Sequence, residues 1–459
     1  MNKKKIFIVI SSDIFVRNYI KSSAFAGLEA SYDCHYLVSR KVTLLDPFNS
    51  LNYILYDLEE LTESTYAKIF NLTMMRSFEL SKSFPYRHKR LSAHNENVKR
   101  KNHGLNLPAT LISIPSKVKI FLESIIIKNN YLYDLYIKIL LRRLSFNKKI
   151  FSTLLEHSPE LVIYPSSAYD PDGVEISRVC EKLELLSLFL VDNWDNLSSK
   201  SILWHKPDYI TVWGPQSKMH AEDIQGFKSS NIKNIGTPRF DKYFELRDKK
   251  IKSFFDFKYI LFVGSSLPFD EAAVLQNLDQ IIEKNLEKLN NIKIIYRPHP
   301  WRMGKDSINH LSLKHVLIDP QLKDIYTRAT NSTTFQPSLD YYPSLIKNAE
   351  FVLGGLTSML IEASIFRKPF LGLVHDEVGN ITSPKEVLQN FTHFQGIEEI
   401  DSISFCHNLD NLEKQFINLN ISPITIDNSI LDKQLSFFYF NDEYKYSERL
   451  ERHCKELLS

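Results

Sequence analysis

Residues 296–302 (YRPHPWR) and residues 351–363 (FVLGGLTSMLIEA) indicate most about how this chain folds. Both follow or include a short apolar run of the kind found in buried strands, and the second passes through Gly-Gly into a helical pattern. A helix that begins directly after a strand leaves backbone N–H groups without partners, and these groups attract anions. Arginine and histidine at the other strand end add positive charge and hydrogen-bond donors. Together the two stretches predict a site for a phosphate-bearing ligand, and we expect a nucleotide-activated one.

Short apolar runs that end in polar or glycine-rich turns recur along the chain. Helical patterns separate them, for example at residues 174–185 and 269–289. Strands that alternate with helices are typical of parallel α/β sheets. The expected strands are residues 6–10, 161–164, 186–191, 209–213, 259–263, 292–296, 315–318, 351–353 and 369–373.

The length of 459 residues is too great for one compact core, so two domains are expected. The boundary is predicted within residues 236–257, where Gly-Thr-Pro interrupts the pattern and charged residues follow. We expect a Rossmann-like domain over residues 1–240, with a basic and apolar helical insertion at about 81–150. A second Rossmann-like domain would cover residues 241–430, and a helical segment at 431–459 would pack back on the first. Two such domains leave a cleft between the carboxyl ends of their sheets, where ligands bind.

The composition indicates a folded protein of a reducing compartment. Hydrophobic residues make up 43% of the chain and charged residues 24%, and no apolar run approaches the roughly 18–20 residues that span a bilayer. The short apolar start of the chain predicts a first strand rather than a signal peptide. The four cysteines are scattered without a CxxC pair, which argues against a zinc site or a disulfide framework. We therefore expect a cytoplasmic protein.

Two strongly basic segments contrast with a net charge of only +3. Residues 81–102 contain seven Lys or Arg against one acid, and residues 117–149 contain eight against two. The second segment interleaves its basic residues with Ile, Leu and Tyr. This pattern predicts either a helix that lies on the anionic inner face of the cytoplasmic membrane or a solvated face of helices packed on a sheet. Nucleic acid is not an expected partner, because no zinc-finger, RNP or KH pattern is present.

The Gly-Gly helix start is the centre of the strongest candidate site. Gly354 and Gly355 would let the backbone approach a diphosphate without a Cβ in the way. Thr357 and Ser358 would add hydroxyl donors. Glu362 lies one turn into the helix, where its carboxylate would accept hydrogen bonds from ribose hydroxyls.

Two further strand ends complete the predicted donor site on the same sheet. His299 is held between two prolines, which fixes its backbone, and would donate to a phosphate or a leaving-group oxygen. Arg297 and Arg302 would neutralise negative charge on the leaving nucleotide. The remaining residues expected at this site are Pro300, Gly264, Ser265 and Ser266.

An acidic turn in the first domain could supply a general base. Residues 169–173 (YDPDG) follow a predicted strand and precede a helix, so a carboxylate there would face the cleft. We expect Asp172, or second Asp170, to take a proton from an acceptor hydroxyl. The alternative is that either residue caps the helix that starts near Val174.

A polar turn at residues 192–200 (DNWDNLSSK) is the predicted acceptor contact. A sugar ring could stack on Trp194 and hydrogen-bond to Asn193 or Asp195. The alternative is a structural loop stabilised by Asx turns.

The Arg-x-His-Pro loop and the later Gly-Gly-x-Thr-Ser-x-x-x-Glu-Ala helix start resemble nucleotide-sugar glycosyltransferases of the GT-B fold. Bacterial surface-polysaccharide transferases are similar, among them sialyl and Kdo transferases, which carry a His-Pro motif and a later Ser/Thr motif. Here these motifs would be His299-Pro300 and Thr357-Ser358. The acidic motif that provides the sialyltransferase base has adjacent acids, whereas Pro171 separates them in this chain.

CDP-glycerol phosphotransferases look similar as well, through residues 236–239 (GTPR) and His299-Pro300, although their Asp-Tyr-Ser-Ser segment is replaced here by residues 354–358 (GGLTS). The resemblance covers mainly residues 160–375. It implies an α/β, GT-B fold and a glycosyltransferase that moves a sugar from a nucleotide-sugar donor to a hydroxyl of a surface glycan, such as capsule or lipopolysaccharide, or of a lipid-linked acceptor. No metal or other cofactor is expected.

Four alternatives stay open at this stage. One is an interaction protein that uses the basic segments on a membrane surface or on nucleic acid. A CDP-polyol phosphotransferase and a UDP-GlcNAc 2-epimerase-like enzyme would share the same fold. A non-catalytic member of the fold would only bind a glycan or a nucleotide sugar.

Overall fold

The computed structural model describes residues 3–58, 64–88, 125–168, 170–200, 202–266, 269–299, 308, 311–327, 337–377, 383–422 and 425–459. Two parallel β-sheets with helices on their faces form the described part of the chain. Two expected donor-site residues, Pro300 and Arg302, lie outside these residues, as does much of the expected insertion at about 81–150.

The first sheet has seven parallel strands in the order β3-β2-β1-β4-β5-β6-β7. The strand β1 and its neighbour β4 pair in register, with Ile6 opposite Leu161. Almost every side chain of these central strands is buried, which matches their continuous apolar sequence. The bounds are β1 (Lys5–Ile10), β2 (Asp33–Ser39), β3 (Tyr53–Tyr56), β4 (Leu161–Ser166), β5 (Leu186–Val191), β6 (Tyr209–Val212) and β7 (Ile232–Asn234).

The second sheet has six parallel strands in the order β10-β9-β8-β11-β12-β13. Its strand order reverses between β8 and β11, which is where open α/β sheets bind ligands. The bounds are β8 (Tyr259–Val263), β9 (Lys293–Arg297), β10 (Val316–Ile318), β11 (Val352–Gly354), β12 (Phe370–Leu373) and β13 (Ile403–Cys406).

The helices connect the strands and cover the sheets. Their bounds are α1 (Asp13–Phe15), α2 (Ala26–Ser31), α3 (Ser64–Leu80), α4 (Asn130–Leu141), α5 (Lys148–His157), α6 (Pro171–Leu183), α7 (Pro215–Asp223), α8 (Pro238–Arg247), α9 (Glu271–Lys284), α10 (Pro320–Thr327), α11 (Tyr341–Asn348), α12 (Met359–Ile365), α13 (Pro384–Asn390), α14 (Leu412–Ile421), α15 (Asn428–Leu435) and α16 (Tyr446–Leu458). Two π-helical turns, at Val16–Ile20 and Asn196–Lys200, follow β1 and β5.

Proline and capping side chains set where several helices begin. Pro171, Pro215 and Pro238 occupy the first turns of α6, α7 and α8, where a missing N–H costs nothing. The side chains of Asn147 and Asp270 accept hydrogen bonds from the first turns of α5 and α9. These starts fix which residues stand at the cleft edge of each helix.

The fold class expected from the sequence, α/β with two Rossmann-like domains of the GT-B type, is confirmed. The expected strands recur with ends shifted by no more than two residues, and β5 and β8 match as expected. The strand β2, of seven residues, and the short strands β3, β7 and β13 were not expected. The helix expected from Val174 begins earlier, at Pro171.

The helix α16 packs against α2 of the first domain. Its side chains Tyr446, Leu450 and Cys454 are buried in the same apolar cluster as Ile6 and Ile8 of β1. Among the described helices, none is both long enough and apolar enough to cross a bilayer.

Candidate functional site

Three strand ends of the second sheet meet at its switch point. The backbone N–H of Gly264, after β8, donates to the carbonyl of Arg297 at the end of β9, with an N···O distance of 2.8 Å. A Cβ built on Gly264 would lie 2.7 Å from the backbone nitrogen of His299, and one on Gly355 would lie 2.6 Å from the Cβ of Ser265. The structure therefore brings together the glycines, Ser265, Arg297 and His299, which the sequence predicted to share a site.

Gly354 is required by the backbone itself. Its φ angle is +150°, a conformation that side chains disfavour, and a Cβ there would overlap the carbonyl oxygen of Val263. The turn after β11 can therefore lie directly against β8 only with glycine at this position.

The loop after β8 is held by a buried carboxylate. Glu271, in the first turn of α9, accepts hydrogen bonds from the backbone N–H of Ser265 (2.9 Å) and from the Tyr296 hydroxyl (2.6 Å). Glu271 is buried, so both bonds are shielded from water. The loop that contains Ser265 and Ser266 is thus fixed to the end of β9.

The start of α12 organises its own polar side chains. The Thr357 hydroxyl accepts from the backbone N–H of Met359 at 3.2 Å. The Ser358 hydroxyl donates to Glu362 at 3.4 Å, and the Tyr243 hydroxyl from α8 donates to the same carboxylate. Glu362 is buried and oriented by these partners. Its expected contact with a ribose is not tested by this geometry.

Three arginines converge where the two sheets face each other, and we call Arg17, Arg239 and Arg297 the arginine cluster. Arg17, in the turn after β1, donates to the carbonyl of Pro337 at 2.8 Å and so reaches from the first domain to the second. Arg17 and Arg297 both lie over the ring of Tyr342, at 6.0 and 4.3 Å from its centroid. The carboxyl ends of the two sheets therefore form one cleft.

The arginine cluster has unused hydrogen-bonding capacity. Within the described residues, Arg239 makes no hydrogen bond and no ion pair, and its Nε and Nη2 atoms are buried. The Nε of Arg297 is also buried without a partner. Burial, and then the neighbouring Arg239, lower the pKa of the Arg17 guanidinium. Positive groups that face each other without ion-paired carboxylates are suited to bind an anion.

Three buried carboxylates lie near the cluster, but each is hydrogen-bonded to uncharged groups. Asp319, whose charge acts on Arg297, accepts from the Tyr341 hydroxyl. Asp192, directly after β5, accepts a hydrogen bond from the Asn18 amide at 2.8 Å. Glu362 accepts from Tyr243 rather than from an arginine. Burial raises the pKa of Asp192, and Arg239 opposes that shift. Asp192 is thus a buried carboxylate beside two arginines.

The acidic turn after β4 is buried and hydrogen-bonded. Asp172 accepts from the Tyr56 hydroxyl at 2.7 Å, and burial raises its pKa. Asp170 occupies the position before α6 but does not cap the helix, because its Oδ1 accepts from Ser166 and Ser167 instead. Its Oδ2 is buried and has no partner among the described residues. The raised pKa values suit a proton acceptor, but the catalytic role of either residue stays a prediction.

The structure gives no support to the expected sugar platform at Trp194. The indole is only 2% exposed, and its Nε1–H donates to Gln216 at 2.6 Å. Its ring packs edge-on against His393, Phe394 and Phe438, at centroid distances of 5.0–5.8 Å. The aromatic residue of this polar turn therefore packs in the contact between the domains instead of standing free for a ligand.

The residues beside Trp194 stabilise the turn, as the structural alternative expected. The Asn193 side chain accepts from the backbone N–H of Trp194 at 3.0 Å, and Asp195 forms an ion pair with Lys200 at 2.9 Å. The carboxylate and amide groups thus have partners within the turn. Acceptor binding by Asn193 or Asp195 has no support in this geometry.

Sequence reasoning missed much of the cluster. Arg17 carries no motif signal, and Tyr342 lies in a stretch without recognisable pattern. Arg239 follows the Gly-Thr-Pro turn that the sequence marked only as a boundary and a family match. Asp192 opens the polar turn whose aromatic residue drew attention instead. The signal that could have found Arg239 and Asp192 is their position immediately after a strand or at a helix start on the cleft side.

No group of three or more His, Cys, Asp or Glu side chains among the described residues is placed to hold a metal ion. The expectation of a metal-independent site is not tested by this observation and stays a prediction.

The fold is similar to that of sugar-nucleotide epimerases of known structure. A candidate UDP-N-acetylglucosamine 2-epimerase from Listeria monocytogenes aligns with a TM-score of 0.52 and 10% identity, over 100% of this chain and 97% of that one. A second UDP-N-acetylglucosamine 2-epimerase aligns with a TM-score of 0.51 and 10% identity, over 100% and 96% of the two chains. At this identity the likeness establishes the fold alone. No protein-family model matches this sequence, and no curated protein sequence matches it.

Proposed function

We propose that this chain is an enzyme that binds a nucleoside-diphosphate sugar in the cleft and transfers the sugar to an acceptor hydroxyl. The observation that carries the proposal is the arginine cluster, because Arg17, Arg239 and Arg297 converge without a carboxylate ion-paired to any of them in the described residues. A diphosphate supplies the missing negative charge. Guanidinium groups bind phosphate oxygens with paired, charge-assisted hydrogen bonds.

The donor diphosphate would lie between the cluster and the Gly354-Gly355 turn. The tight approach of this turn to β8 leaves no Cβ at the strand end, so phosphate oxygens can reach backbone N–H groups. His299 would donate to the diphosphate from the neighbouring strand end. As the glycosidic bond breaks, negative charge grows on the leaving nucleotide, and fixed arginines stabilise that charge.

Asp172 is the proposed base for the acceptor hydroxyl. Its carboxylate is buried, its pKa is raised by burial, and the Tyr56 hydroxyl fixes one of its oxygens. A carboxylate with a raised pKa is a stronger proton acceptor near neutral pH. Domain closure would exclude water and so limit hydrolysis of the donor.

Sugar-nucleotide epimerisation is the second candidate. It is favoured by the fold likeness to UDP-N-acetylglucosamine 2-epimerases and by Asp192, which lies beside Arg17 and Arg239. In this case Asp192 would exchange a proton with the donor sugar itself, and no acceptor would be needed. The two alternatives therefore differ in the catalytic carboxylate, which is Asp172 for sugar transfer and Asp192 for epimerisation.

The wider setting follows from the motif resemblance. We place the enzyme in the cytoplasm, in the synthesis of a surface glycan such as capsule or lipopolysaccharide. All four cysteines are free, which agrees with a reducing compartment.

The binding experiment uses a panel of CMP, CDP, UDP and GDP with isothermal titration. We expect one nucleoside diphosphate to bind, and Arg239→Gln to weaken its binding roughly 10- to 100-fold, because a charged hydrogen bond contributes about 1.5–3 kcal/mol. Arg452→Gln is the matched control, since Arg452 lies exposed on α16 and contacts Tyr444. If Arg239→Gln binds as tightly as the control, the cluster is not the phosphate site.

The reaction experiment follows nucleotide release from the donor that the panel identifies. A transferase releases nucleotide in step with an added acceptor, whereas an epimerase changes the donor without one. We expect Asp172→Asn to abolish transfer and keep nucleotide affinity. Loss of turnover in Asp192→Asn, with Asp172→Asn unaffected and no acceptor required, would establish the epimerase alternative instead.

A further inference from the structure

The helix α4 exposes apolar side chains that have no partner within the described residues. Its inner face is buried, through Tyr133 and Ile137 among others. Its outer face carries Tyr131, Leu135 and Ile139, whose exposed fractions are 74%, 46% and 41%. A helix on the surface of a globular protein ordinarily shows polar residues on that face.

The exposed apolar residues share their face with basic ones. Tyr131, Leu135 and Ile139 recur every four residues and so form one stripe. At about 100° per residue, an arc of roughly 120° also contains Lys138 and Leu132. The exposed Arg142 and Arg143 follow directly at the C-terminal end of the helix. We call these residues the α4 outer face: Tyr131, Leu132, Leu135, Lys138, Ile139, Arg142 and Arg143.

The positive charge of this face is largely unneutralised. Arg142 and Arg143 are exposed, and neither forms an ion pair within the described residues. Lys138 has one partner, Glu181 at 3.4 Å, and both groups of that pair are more than half exposed. Such an exposed pair contributes little and is screened by salt. The face therefore combines apolar side chains with at least two free cations.

We infer that the α4 outer face docks on the surface of an anionic lipid bilayer. Tyr131, Leu135 and Ile139 would enter the boundary between headgroups and acyl chains, while Arg142 and Arg143 contact lipid phosphates. This surface is separate from the cleft, so the inference goes beyond the proposed function and does not depend on it.

Charge argues against the two other candidate occupants. The chain's own segment 89–124 contains seven Lys or Arg against two acids, so it repels this face. A second copy packed by twofold symmetry would bring Arg142 and Arg143 against the same basic face of its partner. An anionic membrane would both pair with the cations and bury the apolar stripe.

Vesicle flotation of the full chain tests the inference. The vesicles contain phosphatidylcholine alone, or phosphatidylcholine with about a third of anionic phosphatidylglycerol, so that only the second kind attracts cations. We expect flotation only with the anionic vesicles, and less of it at high salt, because salt screens the attraction. Arg142→Gln/Arg143→Gln should lower the partition coefficient about 30-fold, at roughly 1 kcal/mol for each basic residue. Leu135→Ser/Ile139→Ser should lower it to a similar extent, because each side chain loses apolar burial.

Control variants remove exposed cations or an exposed apolar side chain elsewhere in the chain. Lys284→Gln/Lys288→Gln removes two exposed cations from the second domain, and Ile430→Ser removes an exposed apolar side chain from α15. Both should float like the unmodified protein, and all variants should keep the unfolding midpoint, since the positions are exposed.

Three results would overturn the inference. The first is no flotation of the unmodified chain with anionic vesicles. The second is equal flotation of the α4 variants and the controls. The third is a dimer in light scattering that Leu135→Ser/Ile139→Ser converts to a monomer, because the stripe would then be a contact between two copies. Nucleotide binding measured in the same samples is independent of all three.

Discussion

Replacing Trp194 with phenylalanine separates two roles for this side chain, an anchor between the domains and a platform for a sugar ring. Trp194 lies in the loop after β5 of the first domain, and its ring contacts His393 and Phe394 beyond α13 of the second. Its indole N–H donates to Gln216, whose amide in turn donates to the carbonyls of His393 and Gln395. The change keeps an aromatic ring but removes the donor.

The expected loss of stability follows from two parts. Without the indole N–H, the Gln216 oxygen loses a buried bond of 2.6 Å, which costs about 1–3 kcal/mol. The smaller ring leaves space among the edge-on contacts, which adds about 1 kcal/mol. The free energy of unfolding should therefore fall by about 2–4 kcal/mol.

Urea titration followed by far-UV circular dichroism measures this change, because tryptophan fluorescence is itself altered by the substitution. Trp204→Phe is the control, since Trp204 is only half-buried and packs edge-on against Phe70 at 6.2 Å. We expect the control to lose less than about 1 kcal/mol. The affinity for nucleotide and the KM for acceptor should stay unchanged in Trp194→Phe below its unfolding transition.

The opposite pattern would refute the structural role. If Trp194→Phe unfolds at the same urea concentration as the unmodified chain and raises the KM for acceptor, then the indole contacts a ligand. The domain contact would then have to open before the acceptor binds.

Three more predictions concern backbone, buried charge and pH. Gly354→Ala should lower the free energy of unfolding by about 2–3 kcal/mol, because φ is +150° and a Cβ would overlap the Val263 carbonyl; an unchanged urea midpoint would contradict this. Arg178→Met should lower the free energy of unfolding by about 3–5 kcal/mol, since it removes the ion-pair partner that lies 2.6 Å from the buried Glu175. The double variant Arg178→Met/Glu175→Gln should recover part of that loss, and no recovery would mean that the ion pair is not its cause. Burial lowers the pKa of His220 to about 4, whereas the unfolded pKa is about 6.5. Its contribution to stability is therefore complete above pH 6.5 and is lost as pH falls toward 4. Urea titration should show that this residue contributes roughly 2 kcal/mol less to the free energy of unfolding at pH 5 than at pH 7.5. His220→Gln should remove that difference, and an identical pH dependence in the variant would contradict the prediction.

Much of the fold could be predicted from sequence because its central strands are continuous apolar runs. The strands β5 and β8 are buried along almost their whole length and end in polar or glycine-containing turns. Their bounds can therefore be predicted from the sequence. The strand β7 has three residues, Ile232–Asn234, and β3 has only four. Runs this short carry no periodic signal, and only pairing in the sheet makes them strands.

Some residues of the candidate site could be predicted from the sequence and others could not. Gly264, Arg297 and Gly354 belong to local motifs at strand ends, so sequence alone could place them on one sheet edge. Arg17 and Arg239 meet only through the packing of two domains, since 222 positions separate them in the numbering. No local pattern encodes such a meeting.

Trp194 shows a further limit of sequence reasoning. The surrounding polar residues predict an exposed turn, yet the polar groups bond within the turn and leave the indole to pack inward. The neighbouring domain decides which side of a turn is exposed to solvent. In this chain that neighbour is the segment at His393 and Phe394.

The return of the chain to its first domain has a consequence for folding during synthesis. The residues Tyr446, Leu450 and Cys454 of α16 complete an apolar cluster that contains β1. While the ribosome is still making the second domain, the first therefore lacks part of its core and exposes apolar surface. The first domain cannot reach its final stability before the second has been synthesised. A nascent chain stalled ahead of residue 446 would consequently be more open to proteases and chaperones than the size of its finished portion suggests.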